Sequence, residues 1–264
     1  MKVSTDKELI KLFHNRISNI YYEQKIVPLR GFSTDGSHFP HKLPNGEIFI
    51  TKIHSVFNGI IPIKEVINYT DDLLFLSDEI VYFIALLYLY QPHIENHLEN
   101  VVETEDKVLY ITDQTIEGKR YDMFVDILFE RIYSFFDRIA NLFASFFPDK
   151  FSKKENIHFY SSLEKLKPIY SSNIDFNWLL NFRDNQYKEM NEQRRSAVHK
   201  ISTVTRNFNE QTFDNYMDLS RTKDLREKRL NCTNYFRQMH NSCLEGLEKT
   251  LNFFEYAINN KQKI

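Results

Sequence analysis

Arg194 and His199, with four residues between them in the stretch EMNEQRRSAVHKI (189–201), are the residues of this 264-residue chain whose types and spacing suit them to chemistry together. A guanidinium is permanently charged and offers five donors in a fork that fits phosphate. An imidazole titrates near neutrality and can take or give a proton. With RNA as substrate, the His removes the proton from a ribose 2′-hydroxyl while the Arg stabilises charge on the phosphorane, and no metal is needed. One Arg and one His are few for this work. Two chains meeting at the motif would double the set in a composite cleft.

The spacing alone is weak. In a chain with this many Arg and 9 His, such a pair arises by chance roughly once, so a solvated charged helix face is the competing reading. In an unbroken helix, at ~100° per residue, Arg194 and His199 point about 140° apart, whereas Arg195 and His199 share a face. Around them lie Tyr187, Lys188, Lys200 and Arg206, a mixture able to stack bases and track phosphate, diluted by Glu189 and Glu192. His93 and His97, four apart, suit zinc on one helix face, but no third ligand is evident. There is no phosphate-cradling Gly-rich loop and no Ser or Cys nucleophile signature. No metal or cofactor is expected.

The elements that must position the pair read as helices. Thr5 or Ser4 caps a first helix to about Tyr22. Residues 28–62 hold four of the six Gly and four of the seven Pro, and read as an irregular arm with an Asn45-Gly46 turn and a short strand over 48–53. Ser77-Asp78-Glu79 opens an apolar helix over 80–90, closed by Pro92, and a short helix follows over 93–103. KVLYIT (107–112) is β-like. The longest clear helix is 120–147, stopped by Pro148 and apolar nearly all round, which calls for several neighbours or a partner chain. Asp137 sits inside that run and needs a partner if buried; it is the candidate to pair with the motif Arg or orient the His. Residues 151–168 hold one short helix at best. Asp175 caps a helix from Phe176 that continues through Met190 and Val198, 205–222 reads as a polar loop, and 224–259 as a final helix.

Composition fits this plan. With 23 Phe and 15 Tyr against 6 Gly and 7 Pro, the chain favours long helices around aromatic cores. The net charge of −2 lacks the basic excess common in nucleic-acid binders, so any RNA contact is local. Cys232 and Cys243 read as reduced thiols used for packing in a cytoplasmic protein. The stretch 80–90 is too short to span a bilayer, so no membrane association is expected.

The order of these elements resembles the HEPN superfamily, the all-α higher-eukaryote and prokaryote nucleotide-binding domains. The stretch LFERIYSFFDRIANLFASFF (128–147) looks like the family's long core helix, with Ile132, Ser134, Asp137, Ile139 and Ala140 matching a pattern of stand-alone bacterial members. RRSAVH (194–199) looks like the R-x4–6-H helix. The resemblance covers about 120–260. It implies a mainly α fold with a HEPN-like antiparallel bundle over 120–264; residues 1–119 lie outside the resemblance and are expected to form an N-terminal helical region, with the irregular arm over 28–62, packed on the bundle. It further implies a homodimeric, metal-independent endoribonuclease of a toxin–antitoxin or antiphage system, with RNA and an antitoxin protein as partners. Arg194 would be the phosphate-stabilising residue and His199 the proton-transfer residue. Arg195 stands where many members have Asn, Asp or His, and is assigned with Asp137 a supporting role; Lys200 and Tyr187 are assigned to RNA. Other members of the family are non-catalytic interaction modules, which is the alternative.

Overall fold

A computed structural model of the chain describes residues 5–32, 38–40, 42–95, 101–103, 108–110, 115–152, 156–210 and 219–261. The protein is an all-helical bundle. Its helices are α1 (Asp6–Gln24), α2 (Phe49–Phe57), α3 (Ile63–Glu95), α4 (Ile116–Phe146), α5 (Phe159–Tyr170), α6 (Ile174–Phe182), α7 (Lys188–His199), α8 (Thr203–Asn209) and α9 (Leu219–Lys261). Among the described residues, β pairing comprises two antiparallel ladders of three residues per strand, Arg30–Phe32 with His38–Pro40 and Val101–Glu103 with Val108–Tyr110, and an isolated bridge between Lys42 and Ile48.

The helix ends follow local chemistry. The Glu8 carboxylate accepts the Thr5 N–H at 2.9 Å, closing the start of α1. Asn173, rather than Asp175, caps α6, its side chain accepting the Phe176 N–H at 2.8 Å.

Several sequence expectations give way to tertiary burial. The strand expected over 48–53 is absent. The Asn45-Gly46 turn forms, with Gly46 at φ +90° and its N–H on the Leu43 carbonyl, but the chain then enters α2. Phe49, Ile53, Val56 and Phe57 are all buried. Their i, i+4, i+7, i+8 spacing is a helical face, and six β-prone residues were too short a window to separate the two periods.

The break at Ser77 is also absent, because α3 runs unbroken for 33 residues and passes Pro92. Ser77 is fully buried and its Oγ accepts the Leu29 N–H at 2.8 Å, so the hydroxyl read as a cap serves another segment. The expected helix over 93–103 is the end of α3 followed by undescribed residues and a strand. By length and composition α3 is apolar enough to cross a membrane, but more than half of its apolar stretch is buried in the protein, as in a core helix.

The chain divides into two compact units, 1–26, 81–129 and 193–238, and 27–80, 130–192 and 239–264. Each draws on both sides of residue 119, and α3, α4, α7 and α9 contribute to both. The second unit is built on rings. Phe146 stacks on Phe254 at 4.3 Å between centroids, with Phe57 and Phe143 edge-on to Phe254. Phe136 meets Phe159, Phe182 and Tyr187. In the first unit Phe124 lies against Phe83 and Tyr90, and Phe129 against Phe236.

The apolar girdle of α4 (Leu128, Ile132, Phe135, Phe136, Ile139, Leu142, Phe143) is fully buried within one chain. No partner copy is needed to cover it, so the girdle carries no argument for a dimer.

A candidate active site at the end of α7

The chain reaches α7 through a π-helical turn, Arg183–Tyr187, that follows α6 without a break. The extra residue in a π turn shifts the phase of everything after it. Both ends of this turn are anchored. Arg183 is 2% exposed; its Nε donates to Asp184 at 2.7 Å, its Nη1 to Glu164 at 2.8 Å, and its guanidinium lies over the Tyr160 ring. Tyr187 is 3% exposed, stacked on Tyr133 and edge-on to Phe136 and Phe159. A base-stacking role for Tyr187 is therefore corrected: both faces of its environment are core, and its ring is a packing group.

Beyond Tyr187 the apolar content falls. Met190 is the buried residue of α7. Arg194 is half-buried, while Arg195, His199 and Lys200 are exposed. The helix is continuous from Lys188 to His199, and the π turn precedes both motif residues, so it does not change their relation. Arg194 and His199 point about 140° apart, and Arg195, about 40° from His199, shares its face. The bend that would converge Arg194 and His199 within one chain is not there.

The helix then stops cleanly. The Ser196 carbonyl accepts both the Lys200 N–H at 3.1 Å and the Ile201 N–H at 3.0 Å, a C-terminal closure that satisfies an orphan acceptor. Ser202 Oγ accepts the Thr205 N–H and caps α8. The segment 205–222, read as a loop, thus begins inside a helix, and 211–218 lie outside the described residues.

Asp137 does sit beside a histidine, and that histidine is His158. The Asp137 Oδ2 lies 3.7 Å from His158 Nδ1, Tyr133 Oη lies 3.5 Å from the same nitrogen, and Asp137 Oδ1 accepts the Phe159 N–H at 3.4 Å. The carboxylate thereby closes the start of α5. Burial raises its pKa, opposed by the charge of His158 and the Phe159 N–H.

Two further carboxylates of α4 carry no sequence expectation. Asp122 and Asp126, one turn apart on α4, face Asn207 and Thr203, one turn apart on α8. Asp126 Oδ2 accepts the Thr203 N–H at 3.1 Å; Asp122 is hydrogen-bonded to the Asn207 side chain and to Arg229 Nε and Nη2 at 3.1 and 3.2 Å. Tyr121 Oη donates to the Arg229 carbonyl at 2.8 Å or engages Thr233 Oγ1 at 2.7 Å. The signal was the one that marked Asp137, a carboxylate within an apolar helix that needs a partner; what the sequence lacked was the identity of the partner.

His93 is exposed and His97 lies outside the described residues. Among the described residues no group of three or more His, Cys, Asp or Glu is placed to hold a metal ion. No family model, curated protein or solved structure matches the chain.

Proposed function

We propose that the protein is a metal-independent endoribonuclease of the HEPN type, working as a dimer in which two copies of the α7 end form one cleft. The observation that carries this reading is the exposed end of α7, where Arg195 and His199 share a face and Lys200 follows. An exposed imidazole flanked by fixed cations is a means of moving a proton beside a phosphate. His199 takes the 2′-hydroxyl proton, the 2′-oxygen attacks phosphorus, and the 5′-oxygen leaves as a hydroxyl after taking the proton back from the imidazolium so formed. The products are a 2′,3′-cyclic phosphate and a 5′-hydroxyl. The guanidiniums hold the charge that builds on the phosphorane. Because Arg194 and His199 diverge on one helix, the reading needs the second copy to bring one chain's Arg194 to the other's His199. A toxin–antitoxin or antiphage setting, with a protein antitoxin as partner and a cytoplasmic location, goes with this proposal.

The test is incubation of wild-type and His199→Ala protein with total RNA in EDTA, with mapping of 3′ ends. Cleavage by wild type alone, leaving cyclic phosphates, is the expected result. Intact RNA with both proteins, or equal cleavage by both, would remove the assignment.

A second reading, a non-catalytic helical interaction protein, is favoured by one observation. Leu9, Ile10, Leu12 and Phe13 of α1 are 53%, 57%, 63% and 37% exposed, a run of apolar groups that suits contact with another protein. Under that reading substitutions along α1, and none on α7, weaken association.

A further inference from the structure

Short helices usually dock by an apolar face; the buried described side chains of α8 are polar instead. They are Thr203 and Asn207, each 4% exposed. Each meets a carboxylate of α4. Asp126 takes the Thr203 N–H through both oxygens, at 3.1 and 3.4 Å, and also bonds the Thr203 hydroxyl. Asp122 bonds the Asn207 side chain. The two rungs run antiparallel, Asp122 to Asn207 and Asp126 to Thr203, four residues apart on each helix, so one face of each element meets one face of the other.

The rungs are braced unequally. Asp122 is 1% exposed and held by Arg229 of α9, which also donates to the Gly118 carbonyl at 3.3 Å. Asp126 is half-buried; its bonds are to Thr203, and Arg206 is the cation that faces it. Arg206 Nη2 in turn donates to Thr203 Oγ1 at 3.2 Å. Thr203 stands four residues after His199, with the Lys200–Ser202 corner between them. The Ser196 carbonyl closes α7 on one side of this corner, and the Thr203 amide anchors its other side.

We infer that Asp126 is a positioning residue: by holding the first amide of α8 it sets the corner that presents His199, while Asp122 keeps the far end of α8 in place. Removing the carboxylate leaves the corner free to sample other directions without dissolving the core, since the aromatic packing of α4 does not depend on it. The link to catalysis rests on the ribonuclease reading; the link to the corner does not.

Hydrogen exchange followed by mass spectrometry on the full chain separates the two. In Asp126→Ala, peptides covering 196–209 are expected to exchange at least about tenfold faster than in wild type, while peptides within 243–257 keep wild-type rates. Asp126→Asn, which retains an oxygen acceptor for the Thr203 N–H, is expected to restore most of the protection. Thr203→Val, which removes the hydroxyl rung and keeps the amide, gives a smaller rise in the same peptides and carries the readout if Asp126→Ala does not fold. Unchanged exchange over 196–209 in these variants overturns the inference, whatever the RNA assay shows. Where wild type cleaves RNA, Asp126→Ala is expected to lower kcat with little change in KM, and Asp126→Asn to rescue it; loss without rescue would mean the carboxylate acts otherwise. A wild type that cleaves no RNA defeats the ribonuclease reading, and the exchange result then stands or falls alone.

Discussion

Gly246 of α9 lies so close to the Phe136 ring of α4 that a Cβ built on it would stand 3.1 Å from Phe136 Cε1 and 3.5 Å from Trp178. Phe136 is fully buried against Phe159, Phe182 and Tyr187 and has little room to give. Gly246 is also mid-helix, where alanine would gain up to about 1 kcal/mol in propensity. Overpacking a dense core costs about 1–3 kcal/mol. The second effect wins, so Gly246→Ala is expected to destabilise the protein by about 1 kcal/mol in chemical denaturation. A variant more stable than wild type would show that the ring pack yields.

The Asp126 carboxyl gives a stability prediction with a definite sign. Burial pushes its pKa above the ordinary aspartate value, more than the Thr203 hydrogen bonds and the Arg206 charge pull it down. The folded chain therefore holds this proton more tightly than the unfolded chain. The contribution is full below the unfolded value, about 3.9, and is lost as pH rises through the folded one. Asp126→Asn has no proton to lose. Thermal melts from pH 3.5 to 7 are expected to show wild type falling relative to Asp126→Asn as pH rises. The opposite trend would mean that the hydrogen bonds outweigh burial.

Both thiols should be slow. Burial pushes Cys232 up to about 11 from 9.0, and the fully buried Cys243 is raised further by burial alone. A rise of this size leaves roughly 100-fold less thiolate on Cys232 at neutral pH, and thiolate is the reactive form. Ellman's reagent at pH 8 is expected to find no fast thiol in the native protein and two in denaturant. Two fast thiols before unfolding would contradict the packing at both sites.

If the α7 ends of two copies form one cleft, inactive variants should complement. Arg194→Ala and His199→Ala homodimers each lack one group entirely, whereas a mixed dimer keeps one of each. Co-purified mixed protein is expected to recover part of the RNA cleavage that both pure variants have lost. Recovery of none, with mixed dimers demonstrated by mass, would place the chemistry within a single chain.

The sequence by itself determined that this is a helical protein with aromatic cores. The nine apolar positions of α4 read from spacing, among them Phe124, Leu128, Ile132 and Phe146, are buried, because a 3.6-residue period over many turns has one structural meaning. It also put Arg195 on the face of His199, since helix geometry alone fixes those angles. Tertiary structure decided what short windows cannot. It turned 48–53 into α2 by burying Phe49 and Ile53, carried α3 past Ser77 by giving that hydroxyl to Leu29, and drew Tyr187 into the core beside Phe136. Above all it chose partners: Asp137 met His158, and Asp126 met the Thr203 amide, 77 residues along the chain. A buried carboxylate announces in the sequence that it needs a hydrogen bond, but which of many distant donors supplies it depends on how whole helices pack.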